Sequence, residues 1–215
     1  MPTQMRIDFV SDVSCPWCII GLRALEQAIA RIPELEVEFE FQPFELNPQM
    51  PPEGQDLDEH IMQKYGMAPA DTARTREAIR ERGAELGFEF RMDKRDRIYN
   101  TFDAHRLLAW AHGQGRQKAL KVALFEAYFT RGENPGDHAV LLQAAEEVGL
   151  DSLEAARVLG SEAYAEEVRE REQFFHQHGI NAVPAIILNQ RHLLQGGQPV
   201  EIFERALRQI LTEAA

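Results

Sequence analysis

The chain has two cysteines, and they are spaced as Cys15-Pro16-Trp17-Cys18 directly after the apolar run Ile7-Asp8-Phe9-Val10. Two intervening residues bring both sulfurs onto one turn where a helix begins, close enough for a disulfide to form without moving the backbone. A helix amino terminus offers unpaired amide hydrogens and positive potential to an anion. Cys15 is therefore expected as the attacking thiolate, and Cys18, one turn deeper, as the thiol that resolves the mixed disulfide. A free thiol titrates near pH ~8.5, and such sites commonly lower this to roughly 3.5–7.5, which makes a nucleophile at neutral pH. The same spacing is half of a zinc site. No second cysteine pair completes one, and His176 and His178, two apart on an expected helix, face different ways. The chemistry expected is dithiol exchange, with no metal and no cofactor beyond the redox-active disulfide itself. Glutathione is one partner such a site would suit.

These thiols need a strand before them and a helix behind them. Pro16 fits a first helical turn, where no amide hydrogen is required. Ile19, Ile20, Leu22, Leu25, Ala28, Ile29 and Ile32, interrupted by Arg23, Glu26, Gln27 and Arg31, give a helix with a broad buried face. Val37-Glu38-Phe39-Glu40-Phe41-Gln42 then alternates as a half-buried strand does and stops at Pro43. A Pro- and Gly-rich stretch from Met50 to Gln55 reads as a loop. Helical patterning follows over Leu57–Tyr65, Ala70–Leu86, Thr101–His112, Gln117–Thr130, His138–Val148, Ser152–Leu159 and Glu162–Gln177. Strand character returns at Ala185–Leu188 and His192–Gln195, joined through Asn189-Gln190-Arg191, before a last helix from Pro199 to Leu211. The order is βαβ, helices, then ββα. The simplest assembly is a single sheet whose two halves are separated in sequence by helices.

Composition narrows the partners. A net charge of −12 and a pI near 5.1 weigh against nucleic acid or an anionic membrane, which attract basic proteins. Glu34-Leu35-Glu36-Val37-Glu38 and Glu166-Glu167 read as solvated faces of a strand and a helix, not as metal sites. No stretch approaches the roughly 20 apolar residues that span a bilayer, and Met1 to Arg6 has no signal-peptide character. The expected compartment is the cytoplasm, where a cysteine pair is more often catalytic than structural.

Cys15-Pro16-Trp17-Cys18 after a strand and Ala182-Val183-Pro184 before the returning strand look like the two halves of a thioredoxin-fold active site. Four segments extend the resemblance: Ser11 to Cys18, Pro43-Phe44-Glu45-Leu46-Asn47-Pro48, Asn100-Thr101-Phe102-Asp103-Ala104-His105-Arg106-Leu107, and Gly179 to Pro184. Together they resemble the FrnE-like branch of the DsbA family of thiol-disulfide oxidoreductases. That resemblance implies an α/β thioredoxin-like domain made of residues 1–48 and 176–215, with a large all-helical insertion, 49–175, roofing the site. It implies a cytoplasmic dithiol-disulfide oxidoreductase or isomerase acting on protein or small-molecule disulfides, with glutathione or a thioredoxin-type reductant as partner. It makes Pro184 a cis-proline beside the dithiol, with Val183 offering backbone hydrogen bonds to an extended substrate. Pro16 and Trp17 tune the thiols. They lack the histidine found between the cysteines of the strongly oxidising periplasmic relative, so a milder oxidant is expected. Some members carry a further cysteine pair near the carboxy terminus, and this chain does not.

Three remaining residues are read against plainer roles. His105, on the Thr101–His112 helix, reaches the cleft or merely packs. Asn100 borders the site or caps that helix. Glu45 accepts the Cys18 proton or is a solvated loop carboxylate. Two other functions compete with dithiol exchange. One is a glutathione-dependent isomerase or kappa-class-like transferase on the same fold, although those proteins typically carry serine at the position of Cys15. The other is a client-binding holdase with an incidental dithiol.

Overall fold

The computed structural model describes residues 3–213. Its centre is a four-stranded sheet in the order β2-β1-β5-β6. Strand β1 (Thr3–Ser11) runs parallel to β2 (Leu35–Pro43), with Ile7 opposite Phe39 and Phe9 opposite Phe41. On its other side β1 runs antiparallel to β5 (Ala185–Leu188), which pairs in turn with β6 (His192–Gln195). The two halves expected from the sequence therefore meet along β1. The three-residue β5–β6 connection, Asn189 to Arg191, holds Asn189 and Gln190 in the left-handed region at φ 51° and 56°.

Alternation along β1 divides the core. Met5, Ile7 and Phe9 face the layer built by α1 (Pro16–Ala30) and α9 (Val200–Glu213), where Leu22, Leu25, Phe203 and Leu207 are wholly buried. Each such side chain contributes about 1.5–3 kcal/mol on burial. Val10 and Ala185 face the opposite layer and meet Phe44, Ile180 and Phe175 of α8 (Ala165–Gln177). Between β2 and β5 lie α2 (Leu57–Tyr65), α3 (Pro69–Glu85), α4 (Phe102–Gly113), α5 (Gln117–Glu126), α6 (His138–Glu147) and α7 (Ser152–Leu159). Helices α4 to α7 close on their own apolar centre, which includes Leu107, Leu124, Leu141 and Val158. Among the described residues no helix is long and apolar enough to cross a membrane.

The structure departs from the sequence reading in four places. The stretch read as a loop up to Gln55 ends in β3 (Gln55–Asp56), which pairs antiparallel with β4 (Arg97–Ile98); two-residue strands carry no periodicity to read. Helix α5 does not run regularly to Thr130 but widens into a π turn over Ala127–Arg131. It ends at Gly132, whose φ of 75° and close approach to the Lys94 carbonyl leave no room for a Cβ. Helix α8 starts at Ala165 rather than Glu162, because Tyr164 takes a left-handed conformation at φ 63°. Finally, β2 is only half solvated on its polar side. Glu40 and Gln42 are buried because Arg171 of α8 bonds to both.

Candidate active site

The chain leaves β1 at Ser11 and is turned into α1 by Asp12. The Asp12 carboxylate accepts the Ser14 amide at 3.2 Å and the Leu46 amide, just beyond β2, at 2.7 Å. The Cys15 amide donates to the Asp12 carbonyl at 3.2 Å. Cys15 then occupies the N-cap of α1 in an extended conformation, with Pro16 in the first turn. No side chain caps this terminus, so its unpaired amides stay directed at the Cys15 position, as an anion requires. No disulfide joins Cys15 and Cys18 in this structure.

The two sulfurs differ in access. Cys15 is 4% exposed and Cys18 is wholly buried behind it. The Cys15 Sγ donates to the Val183 carbonyl at 3.7 Å. The Val183–Pro184 bond is cis, and the Pro184 carbonyl accepts the Gly196 amide at 2.8 Å. Gly21 of α1 lets this loop approach: a Cβ there would lie 3.1 Å from Pro184 Cγ. Burial, and then the neighbouring Cys15, pushes the Cys18 thiol well above its ordinary range, while Lys121 acts against that rise.

Charged groups surround the dithiol from below. Burial opposes ionisation of Asp12, but His105, whose Nε2 lies 3.6 Å from Asp12 Oδ1, and the two backbone amides hold its carboxyl below the usual range. Lys121 comes from α5 and is wholly buried, with its Nζ donating to the Ser11 carbonyl at 3.4 Å. Burial pulls its ammonium down to about 8, against the opposing fields of Cys18, Asp12 and Cys15. No cation lies between the two cysteines in sequence; this one comes from a helix about a hundred positions on. The missed signal is periodic: Gln117, Leu120, Lys121 and Leu124 share the buried face of α5, an unusual place for a lysine.

A cleft of about 690 Å³ opens over Cys15. Its floor is Ser14 to Trp17, Phe44 to Pro48 and Asn181 to Val183, and its far wall is α2, α3, Arg95 and Ile98. Lys64, Arg76 and Arg95 line it together with two histidines, His60 and His176; burial, and then Lys64 and Arg95, favour the neutral form of His60. Arg95 lies over the Tyr128 and Phe129 rings at 4.9 and 5.2 Å. The only carboxylate among its described lining residues is Glu45.

The structure brings Cys15, Pro16, Trp17, Glu45 and Val183 to this cleft, with Trp17 39% exposed at its mouth and Pro184 buried beside it. Glu45 is not the solvated loop carboxylate that its sequence context suggested. It is buried, paired with Arg169 of α8 and set near Glu172, contacts made by residues more than a hundred positions away. Asn100 does not line the cleft. Its Oδ1 accepts the Phe102 amide at 2.9 Å and its Nδ2 donates to the Met50 carbonyl at 3.2 Å, so the side chain is used in capping α4. His105 does not line it either, because it points inward onto Asp12.

A strand, a dithiol at a helix amino terminus and a cis-proline loop against the first thiol describe one kind of protein, and comparison with known proteins agrees. Residues 6–208 match the DSBA-like thioredoxin domain family. A probable DsbA oxidoreductase from Streptomyces coelicolor superposes with a TM-score of 0.89 at 34% identity, covering 97% of this chain and 91% of that one. The cytosolic disulfide reductase DsbM from Pseudomonas aeruginosa, in its structure with GSH, shares the fold at 19% identity and a TM-score of 0.66, covering 96% and 99%. The Bacillus subtilis protein YwbO is 26% identical over 204 residues, 94% of this chain and 96% of its own length. The match runs through the sheet, the dithiol helix and the helices between, and on that extent the chain belongs to the DSBA-like thioredoxin domain family.

Proposed function

We propose that this thiol-disulfide oxidoreductase exchanges disulfides through Cys15 and Cys18 with small anionic thiols, glutathione among them, in a reducing cytoplasm. One observation carries the reading: the accessible thiol sits at the helix terminus under an open cleft, and the second thiol is sealed behind it. Cys15 attacks a substrate disulfide as the thiolate, one substrate thiolate leaves, and a mixed disulfide forms on Cys15. Cys18 then attacks the Cys15 sulfur, which releases the second thiolate and leaves the Cys15–Cys18 disulfide. Val183 presents backbone to an extended substrate, Pro184 backs the dithiol, and Trp17 flanks the entering group. On this reading residues 1–48 and 176–215 carry the dithiol and its loop, and 49–175 form the roof.

The anionic preference rests on charge. A chain of net charge −12 lines this one cleft with Lys64, Arg76 and Arg95, a local field opposite to that of the whole molecule. Glutathione, with two carboxylates flanking its thiol, fits that field. The GSH seen on the Pseudomonas DsbM supports this reading. The test is turnover of insulin and of oxidised glutathione, each coupled to a reductant, together with mass spectrometry of Cys18→Ser after exposure to oxidised glutathione. A glutathione adduct on Cys15 and turnover of oxidised glutathione are expected. Failure to exchange with any disulfide would overturn the proposal.

A further inference from the structure

We propose that Arg95 binds a carboxylate of the entering substrate beside Cys15, so that the site selects disulfides carrying an acid group close to the reacting sulfur. The inference rests on the exchange reading above and narrows its substrate. Arg95 belongs to the far wall of the cleft, yet its Nη2 donates to the carbonyl of Ser14 on the floor, at a long 3.5 Å. Ser14 is the residue before the nucleophile. A group held on this guanidinium therefore lies beside Cys15 rather than out along the wall.

The guanidinium is held without a counter-ion. Where α5 widens into its π turn, the neighbouring rings of Tyr128 and Phe129, 4.8 Å apart between centroids, carry Arg95 at 4.9 and 5.2 Å. Turns of this kind recur at functional sites. The same turn fixes the backbone on both sides of Arg95: the Arg91 amide donates to the Phe129 carbonyl at 2.9 Å, and the Tyr128 hydroxyl donates to the Arg97 carbonyl at 2.9 Å. Aromatic faces orient a guanidinium without neutralising it. Among the described residues no carboxylate pairs with Arg95, and its buried Nε and the buried Ser14 hydroxyl both lack partners. A planar fork of N–H donors matches a carboxylate, which only accepts.

The other cations of the cleft are engaged. Lys64 donates to the Leu46 carbonyl at 2.7 Å and to Asn47 Oδ1 at 2.8 Å, and Arg76 shares its charge with Asp58 at 2.5 Å. Glu45, the carboxylate in the described lining, is taken by Arg169. Arg95 thus brings an uncompensated positive charge to the place where a substrate carries its bond to sulfur. A disulfide with an acid group a few bonds from that sulfur answers the charge. A neutral one leaves it unanswered, and a cationic one is repelled.

The test compares small disulfides of similar length and different charge: dithiodipropionate, with two carboxylates, hydroxyethyl disulfide, which is neutral, and cystamine, with two ammonium groups. Loss of the Cys15 thiol in the reduced protein is timed by acid quench, alkylation and mass spectrometry, each rate taken relative to the reaction of that disulfide with a small free thiol. The wild type is expected to prefer them in the order given. Arg95→Met should cut the ratio of dithiodipropionate to hydroxyethyl disulfide roughly tenfold or more. Arg95→Lys, which keeps the charge but not the planar fork, should cut it by less. A wild type without preference overturns the assignment. So does a ratio unchanged in Arg95→Met, including an equal loss with every disulfide, the mark of an arginine that acts on the thiol or the fold instead. If Arg95→Met does not fold, a crystal structure of Cys18→Ser carrying mercaptopropionate on Cys15 decides: its carboxylate is expected on the Arg95 guanidinium, and a carboxylate lying elsewhere defeats the proposal. No reaction with any of the disulfides would defeat the exchange reading and this inference with it.

Discussion

The Cys15 Sγ and the Val183 carbonyl oxygen stand 3.7 Å apart across 168 residues of sequence. One is the N-cap of α1 and the other precedes the strand that returns to β1, so the contact forms only when both halves of the sheet have assembled. It also holds the Cys15 side chain at the floor of the cleft while Cys18 points into the core.

That asymmetry sets a division of labour. Cys15→Ser is expected to abolish reductase activity and alkylation at neutral pH. Cys18→Ser should retain a reactive thiol and accumulate mixed disulfides. Both outcomes are read by mass spectrometry after brief exposure to iodoacetamide or oxidised glutathione. Faster alkylation at Cys18 than at Cys15 in the reduced wild type would reverse the assignment.

Charge in the cleft should appear in binding more than in turnover. Arg76 lines the cleft and bonds to the exposed carboxylate of Asp58. A charge-assisted hydrogen bond contributes about 1.5–3 kcal/mol, so Arg76→Ala is expected to raise the KM for oxidised glutathione roughly tenfold or more with little change in kcat. The difference should shrink at high salt. An unchanged KM for glutathione at low salt would exclude Arg76 from substrate recognition.

Glu45 makes stability depend on pH. Burial, and then the Glu172 carboxylate, pushes its carboxyl above the usual range against the pull of His105 and Arg169. A folded state that holds the proton more tightly than the unfolded chain is favoured below the unfolded pKa of about 4.3, and this contribution is lost as pH rises through the folded value. Glu45→Gln should flatten that decline, measured as Tm across about pH 4 to 7. Parallel Tm profiles for the two proteins would contradict the assignment.

Gly21 is where α1 meets the loop beside the dithiol. A side chain at this position meets Pro184 Cγ at 3.1 Å and the Gly197 backbone at 3.3 Å. Overpacking of this kind typically costs about 1–3 kcal/mol, so Gly21→Val is expected to lower Tm by several degrees and to slow exchange by displacing Pro184 from Cys15. Full activity together with an unchanged Tm would show that the loop yields freely.

Local signals in the chain were enough for most of the elements and for the candidate dithiol. Pro16 after a cysteine announced a helix start, alternation marked β2, and the apolar face of α9, with Val200, Phe203, Leu207 and Ile210 buried, was legible as a terminal helix. The thiol spacing singled out Cys15 and Cys18 because both lie within one turn of helix. The resemblance to a family joined this turn to Pro184; spacing alone contains nothing that brings positions 15 and 184 together.

What lay beyond reach depends on partners distant in sequence. Glu45 reads as a surface carboxylate until Arg169 and Glu172 arrive from α8. Glu40 and Gln42 read as solvated until Arg171 covers them. Lys121 reads as one more helical lysine until α5 buries it against the Ser11 carbonyl, where desolvation lowers its pKa. A hydrophobic pattern specifies which face of an element is buried, but not which element buries it. The electrostatics of a buried group belong to that second choice, because desolvation and the charges facing it exist only once the helices have closed over the sheet.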